Sequence, residues 1–304
     1  MKPKSGACIR SISVTPAKSN KKSGRLIAIA RGKLQNRSQF KPLARFPDVF
    51  SWAFPVTVYE FPLNERIRTW LRLEDLFGKA LYFVRGGDAR AHHAALLALF
   101  ELTDVTGRPE MKSELIQELD RQKTSLEDLR SNPAVDGDRL DAVLGRITTA
   151  LAGLHAMSGK IGQHVRDNEW LAGIKGRAGI PGGTCSFDLP AYHYWLNLPE
   201  ADRGDDLMEW LGPLLPLNNA VDVVLRLLRD SGQRSRHSAS QGLFQLMLGG
   251  RGAHLLRLSL DTACAPEVSA NKYAVNIRFL IPDQSQKPRP CDRDIDFELT
   301  FCNL

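Results

Sequence analysis

The sequence predicts an α+β fold in which an N-terminal helical domain packs with an antiparallel β domain. Two patterns carry that prediction. From Asn64 to about Gly173 apolar residues recur in steps of three and four, the period of a helix with one buried face. From Phe244 to Phe301 they alternate with polar residues, as in half-buried strands. Short turns join these later segments with no helix between them, which an antiparallel sheet permits and a parallel sheet does not. The predicted organisation is a disordered basic extension over 1–57, a helical domain over 58–179 with the helical segment 204–231 packing on it, and an antiparallel β domain made of 180–203 and 232–304.

Charge sets the extension apart. Residues 1–57 hold 12 of the 41 Lys and Arg but one of the 34 Asp and Glu, a net of +11, so the body carries −4 of the overall +7. The whole-chain charge therefore says little about what the body binds. The only apolar island in the extension, LIAIA at 26–30, is shorter than a signal-peptide core, and no small-residue cleavage site follows it. A dispensable tail, or translation begun upstream of the true start, is the expected reading.

The first helix is predicted to start at Asn64, whose side chain can cap it, with Glu65 placed where the helix dipole favours an acid. Ile67, Trp70, Leu71, Glu74, Phe77 and Leu81 follow the helical step, and Arg68, Arg72, Asp75 and Lys79 form a charged stripe on the other side. Helices follow over 92–102 and 111–129; in the second, Met111, Leu115, Leu119, Gln122, Leu126 and Leu129 form a seam suited to another helix, closed by Asn132-Pro133. Two more are predicted over about 138–151 and 160–173, with breaks at Gly107, Gly137 and Gly159.

At 180–199, IPGGTCSFDLPAYHYWLNLP, aromatic and β-favouring residues replace the Ala/Leu/Glu mixture and predict strand. Residues 205–230 return to helix, split in two by Pro213 and Pro216. Phe244, Leu246 and Leu248 alternate before GGRG at 249–252 and Leu256, Leu258 and Leu260 after it, which predicts a hairpin. Two further strands run from Tyr273 to Ile281 and from Ile295 to Phe301; Asp292, Asp294 and Asp296 read as the solvated side of an edge strand.

Little in the sequence points to catalysis. Five cysteines lie far apart with no C-x-x-C pair, as expected of reduced thiols in the cytosol, and neither a metal nor a cofactor is expected. No apolar run approaches the roughly 20 residues of a membrane span, so a soluble chain is expected. His92-His93 are neighbours that point apart on a helix and cannot chelate one ion. A hydrolase built on Cys185 and His193 would need those side chains in contact, and along one extended segment they stand about 26 Å apart. The arginine helix is a docking candidate: Arg68 and Arg72, one turn apart, can present two donors to carboxylates. The plainer account is an exposed helix with a weak Arg72-Asp75 pair.

A resemblance adds to this. EFPLNERIRTWLRLEDLF at 60–77, ELIQELDRQ at 114–122, KIGQHVRDNEWL at 160–171, IPGGTCSFDLPAYHYWL at 180–196, LLRLSLD at 255–261, NIRFL at 276–280 and DFEL at 296–299 resemble, in order, the ZapD family of FtsZ-associated division proteins. The resemblance spans the body from about Val58 to Phe301 and implies a non-catalytic, cytoplasmic homodimer at the mid-cell ring that binds FtsZ, through its flexible C-terminal tail, and crosslinks its filaments. Carried over, it names Arg68, Arg72, Arg108, Arg166, His193 and Arg278 as partner-binding residues, while Glu169 stands where some relatives have a basic residue. The alternative is a nucleic-acid-associated protein acting through residues 1–57.

Overall fold

The computed structural model describes residues 56–108, 110–250 and 252–304. After one opening strand the helices come first and the other strands, all antiparallel, last, an α+β fold. The expected basic extension lies outside the described residues except for Val56 and Thr57, and Thr57 already opens a strand, β1 (Thr57–Pro62).

Asn64 caps α1 (Glu65–Arg85), its Oδ1 accepting the Ile67 amide at 2.8 Å. The helix buries Ile67, Trp70, Leu73, Phe77 and Ala80, while Leu71, Glu74 and Leu81 sit half-buried at the margin of the stripe. Asp88 caps α2 (Ala89–Val105) by accepting from the Ala91 and Arg90 amides, which hold its carboxyl below the usual carboxylate range. The link between the two helices is only three residues long, so α2 folds back antiparallel on α1. Gly87 makes that turn at φ +70°, and a side chain there would collide with Glu200, its Cβ lying 2.2 Å from Oε1.

Next come α3 (Met111–Glu127) and α4 (Gly137–Ala156). The single helix expected over 160–173 is two, α5 (Gln163–Arg166) and α6 (Glu169–Ala178), because Asn168 interrupts it and caps the second by accepting from the Leu171 amide at 3.0 Å.

The strand expected over 180–199 is absent: turns lead into α7 (Pro190–Leu196). Pro190 stands in the first helical turn, where its fixed φ helps and its missing N–H costs nothing. Tyr192 and Trp195, three residues apart, both bury, and they pack with Trp170 and Trp210 from α6 and the helix that follows. Strand propensity here is overridden by a helical face that fills an aromatic cluster.

Helices α8 (Glu200–Leu211) and α9 (Leu215–Asp230) are separated by a 3-10 turn at Gly212–Leu214, as Pro213 predicts. Glu200–Asp230 is long and apolar enough by composition to cross a bilayer, but half of its most apolar window is buried in the protein, and α9 packs on α1, α3 and α4. That is the position of a core helix.

The strands form two antiparallel sheets. One has the order β1-β4-β8-β2, with β2 (Gln233–Ala239), β4 (Leu255–Leu260) and β8 (Ile295–Cys302); the other has β3-β6-β5, with β3 (Leu243–Met247), β5 (Ala265–Ala270) and β6 (Ala274–Ile281), and β7 (Arg289–Pro290) added to β6. The hairpin expected around GGRG is therefore not formed. β3 pairs with β6, Leu246 opposite Val275, and β4 pairs with β1 and β8, Leu258 opposite Tyr59 and Leu299, so the glycine turn crosses from one sheet to the other. Alternation marks a half-buried strand without naming its neighbour. The acidic edge is also corrected: β8 lies between β4 and β2, and Asp294 lies in the irregular segment before β8, where it accepts the Gln241 amide at 2.9 Å. Strands β2 and β5 escaped the sequence reading because edge positions let them stay polar.

Two apolar clusters result. One gathers the helices; the other, with Leu258, Val275, Ile277, Phe279, Phe297 and Leu299, lies between the sheets. A charged joint ties helices to sheet. Arg229 of α9 bonds Glu60 of β1 (2.9 and 2.8 Å) and Glu74 of α1 (2.7 Å twice), and Arg257 of β4 reaches Glu60 at 2.9 Å.

Candidate docking surface

The three arginines around Trp70 have different fates. Trp70 is fully buried, and the Arg66 guanidinium lies 5.3 Å from its ring centroid and 3.7 Å from the buried Glu118 carboxylate, so Arg66 belongs to the joint between α1 and α3. Arg68 is exposed and reaches Glu65 at 3.7 Å, an exposed pair of small worth. Arg72 is exposed with no hydrogen-bond or ion-pair partner among the described residues. The expected Arg72-Asp75 pair does not form, because the Asp75 carboxylate binds Lys79 at 2.6 Å in the acid-before-base i,i+4 arrangement that helices favour.

The antiparallel α1–α2 hairpin brings the start of α1 to the end of α2, the loop that carries Arg108, and the start of α3. Arg66 reaching Glu118 of α3 marks that end. Arg108 is exposed and, like Arg72, has no partner among the described residues. Arg166 of α5 docks on the same end of α2: Nη1 donates to the Thr103 carbonyl at 3.1 Å and Nη2 to the Ile161 carbonyl. This close approach requires Gly162, at φ +69°, whose Cβ would lie 3.2 Å from Thr103 and 3.3 Å from Arg166 Nη1. Four of the six residues predicted for docking, Arg68, Arg72, Arg108 and Arg166, thus share one end of the helical part.

His193 and Arg278 lie elsewhere. His193, expected on a strand, is exposed on α7, which packs near the start of α2, where Tyr192 Oη and His93 Nδ1 share a 2.6 Å hydrogen bond. Arg278 projects from β6 and pairs with Glu267 of β5 at 3.8 Å, both exposed. No hydrogen bond joins Cys185 to His193 among the described residues. Nor do three His, Cys, Asp or Glu side chains gather there in a way that could hold a metal.

One cation at the arginine end was missed in the sequence. Lys175 of α6 pairs with Asp104 at the end of α2 and lies 3.5 Å from Thr103 Oγ1. No spacing rule connects residues 71 positions apart. Only the cap at Asn168, which aims α6 independently of α5, was there to be seen.

A family model described as the cell division protein ZapD matches residues 71–278, more than half of the chain. The chain belongs to the ZapD family. It is similar to the cell division protein ZapD of Aromatoleum aromaticum, 52% identical over 254 residues that make up 83% of this chain and 99% of that protein. It is also similar to the ZapD of Dechloromonas aromatica, 51% identical over 249 residues, 81% of this chain and 99% of the relative. Membership makes this chain a cell-division protein, and Arg72, Arg108, Arg166, His193 and Arg278 fall inside the span matched to ZapD, with Arg68 just before it.

Proposed function

We propose that this ZapD-family chain binds FtsZ through the flexible C-terminal tail of FtsZ and, as a homodimer in the cytoplasm, crosslinks FtsZ filaments into bundles at the mid-cell division ring, without catalysis. The observation that carries the reading is the pair of exposed guanidinium groups, Arg72 and Arg108, without a partner among the described residues, at the end of the helical part where Arg68 and Arg166 also stand. An arginine with its own carboxylate gains little by exchanging it; a free one can take a partner's carboxylate in charge-assisted bonds. A dimer doubles the site, so weak contacts repeated along a polymer become lasting crosslinks.

Co-sedimentation of the full chain with GTP-polymerised FtsZ, beside FtsZ lacking its C-terminal tail, tests this. The expected result is pelleting with bundles that requires the tail and weakens as salt rises. A version lacking residues 1–55, so that β1 stays whole, should bundle as well as the full chain. Binding that instead disappears with that segment, and is recovered on nucleic acid, would overturn the reading in favour of a nucleic-acid protein.

A further inference from the structure

Beside the arginine end lies a cavity of about 290 Å³, between the last turns of α2 and helices α5 and α6. Its floor is apolar: Phe100, Val165 and Leu171, all buried below the surface it opens on. One wall is Gly176, where an added Cβ would meet no atom within 4 Å, so the helix leaves open space that almost any other residue would begin to fill. Two cations, Arg166 and Lys175, stand at the rim.

We propose that this cavity takes an apolar side chain of an acidic peptide whose neighbouring carboxylate binds the rim, and that the peptide is the FtsZ tail; the assignment rests on the function proposed above. Three observations carry it. The volume lies at the low end of ligand pockets, enough for one or two side chains and not for a nucleotide or a large cofactor. Among the described residues Arg166 reaches only backbone carbonyls and no carboxylate, and its remaining N–H groups can donate to one. Lys175 already holds the exposed Asp104 carboxylate, which an incoming acid can replace at a solvent-exposed ion pair with little loss. An apolar floor beneath a cationic rim complements a segment in which apolar and acidic residues alternate closely. The free arginines would then supply attraction and the cavity would supply discrimination between acidic tails.

Fluorescence anisotropy of the full chain with a fluorescein-labelled FtsZ tail peptide, and with a twin whose apolar residues are replaced by serine, tests the assignment. Wild type is expected to bind the native peptide about tenfold more tightly than the twin. Gly176→Leu, which fills the cavity and favours the helix, should bind both peptides at the level of the twin, with its melting transition retained. Gly176→Ala, adding one methyl group, should keep most of the difference. Undiminished native-peptide binding by folded Gly176→Leu would overturn the cavity assignment while leaving tail binding intact. Failure of wild type to bind either peptide would remove the proposed function and the cavity assignment together.

Discussion

Arg203 donates from Nε to His92 Nδ1 at 3.0 Å, from Nη2 to the Gly87 carbonyl at 2.7 Å, and from Nη1 to the carbonyls of Leu196, at 3.3 Å, and Leu198. A guanidinium can only donate, so His92 Nδ1 carries the lone pair and Nε2 carries the proton given to the Val84 carbonyl at 3.1 Å. Both side chains are buried, at 6% and 0% exposed, and together they stitch the α1–α2 turn to α7 and α8. The neighbouring His93 behaves differently. Burial lowers its pKa from 6.5, and burial likewise lowers that of His254. The unfolded chain then takes up these protons at higher pH than the folded one, so the associated stability is complete above about pH 6.5 and is lost as pH falls through the lower folded values. The melting temperature should accordingly drop between about pH 7 and pH 5, and His93→Asn should show a shallower drop in the same calorimetric series. Equal slopes for the two proteins would show that His93 does not contribute.

At the scale of elements, the decisive contact is the joint of Glu60, Glu74, Arg229 and Arg257, which brings together β1, α1, α9 and β4. The hydrogen bonds that Arg229 donates to Glu74 and then to Glu60 hold its charge in place, raising its pKa further above its already high value. Arg229 and Glu60 are only about one fifth exposed as side chains, at 22% and 20%, so neither is free to return to water when its partner is removed. Arg229→Ala is expected to cost roughly 2 kcal/mol in urea denaturation. Removing Glu74 as well should add less than removing it alone does, since the two share the interaction. Additive losses would mean that the joint is not acting as a unit. The same scale explains the failed hairpin: the apolar faces of β3 and β4 meet across the gap between two sheets, and each strand takes its backbone partners within its own sheet.

For the whole molecule, the arrangement proposed for docking is one end of the helical part where Arg66, Arg68 and Lys175 have carboxylate partners and Arg72, Arg108 and Arg166 have none among the described residues. Arg72→Ala and Arg108→Ala together remove exposed groups that have no partner among the described residues, so the melting temperature should stay within the small range of surface substitutions. Pelleting with FtsZ filaments should nevertheless fall several-fold at low salt, and the gap from wild type should narrow as salt rises. Unchanged pelleting at every salt concentration would place the docking surface elsewhere, with Arg278 the next candidate. Much of this molecule was legible before any contact was known. The Asn64 cap, the buried stripe of α1, the break at Pro213, the alternation in β6 and β8 and the blocks similar to ZapD all depend on residues within a few positions of one another, and helix caps and strand periods are local properties of the chain. Tertiary packing decided the rest. It made a helix of Pro190–Leu196 because Tyr192 and Trp195 could fill an aromatic cluster, sent β3 and β4 to different sheets, gave Asp75 to Lys79 so that Arg72 stayed free, and set Arg166 and Lys175 around a cavity at the end of α2. Those outcomes depend on which apolar faces meet and which charges come within reach across tens of residues, and neither period nor propensity carries that information.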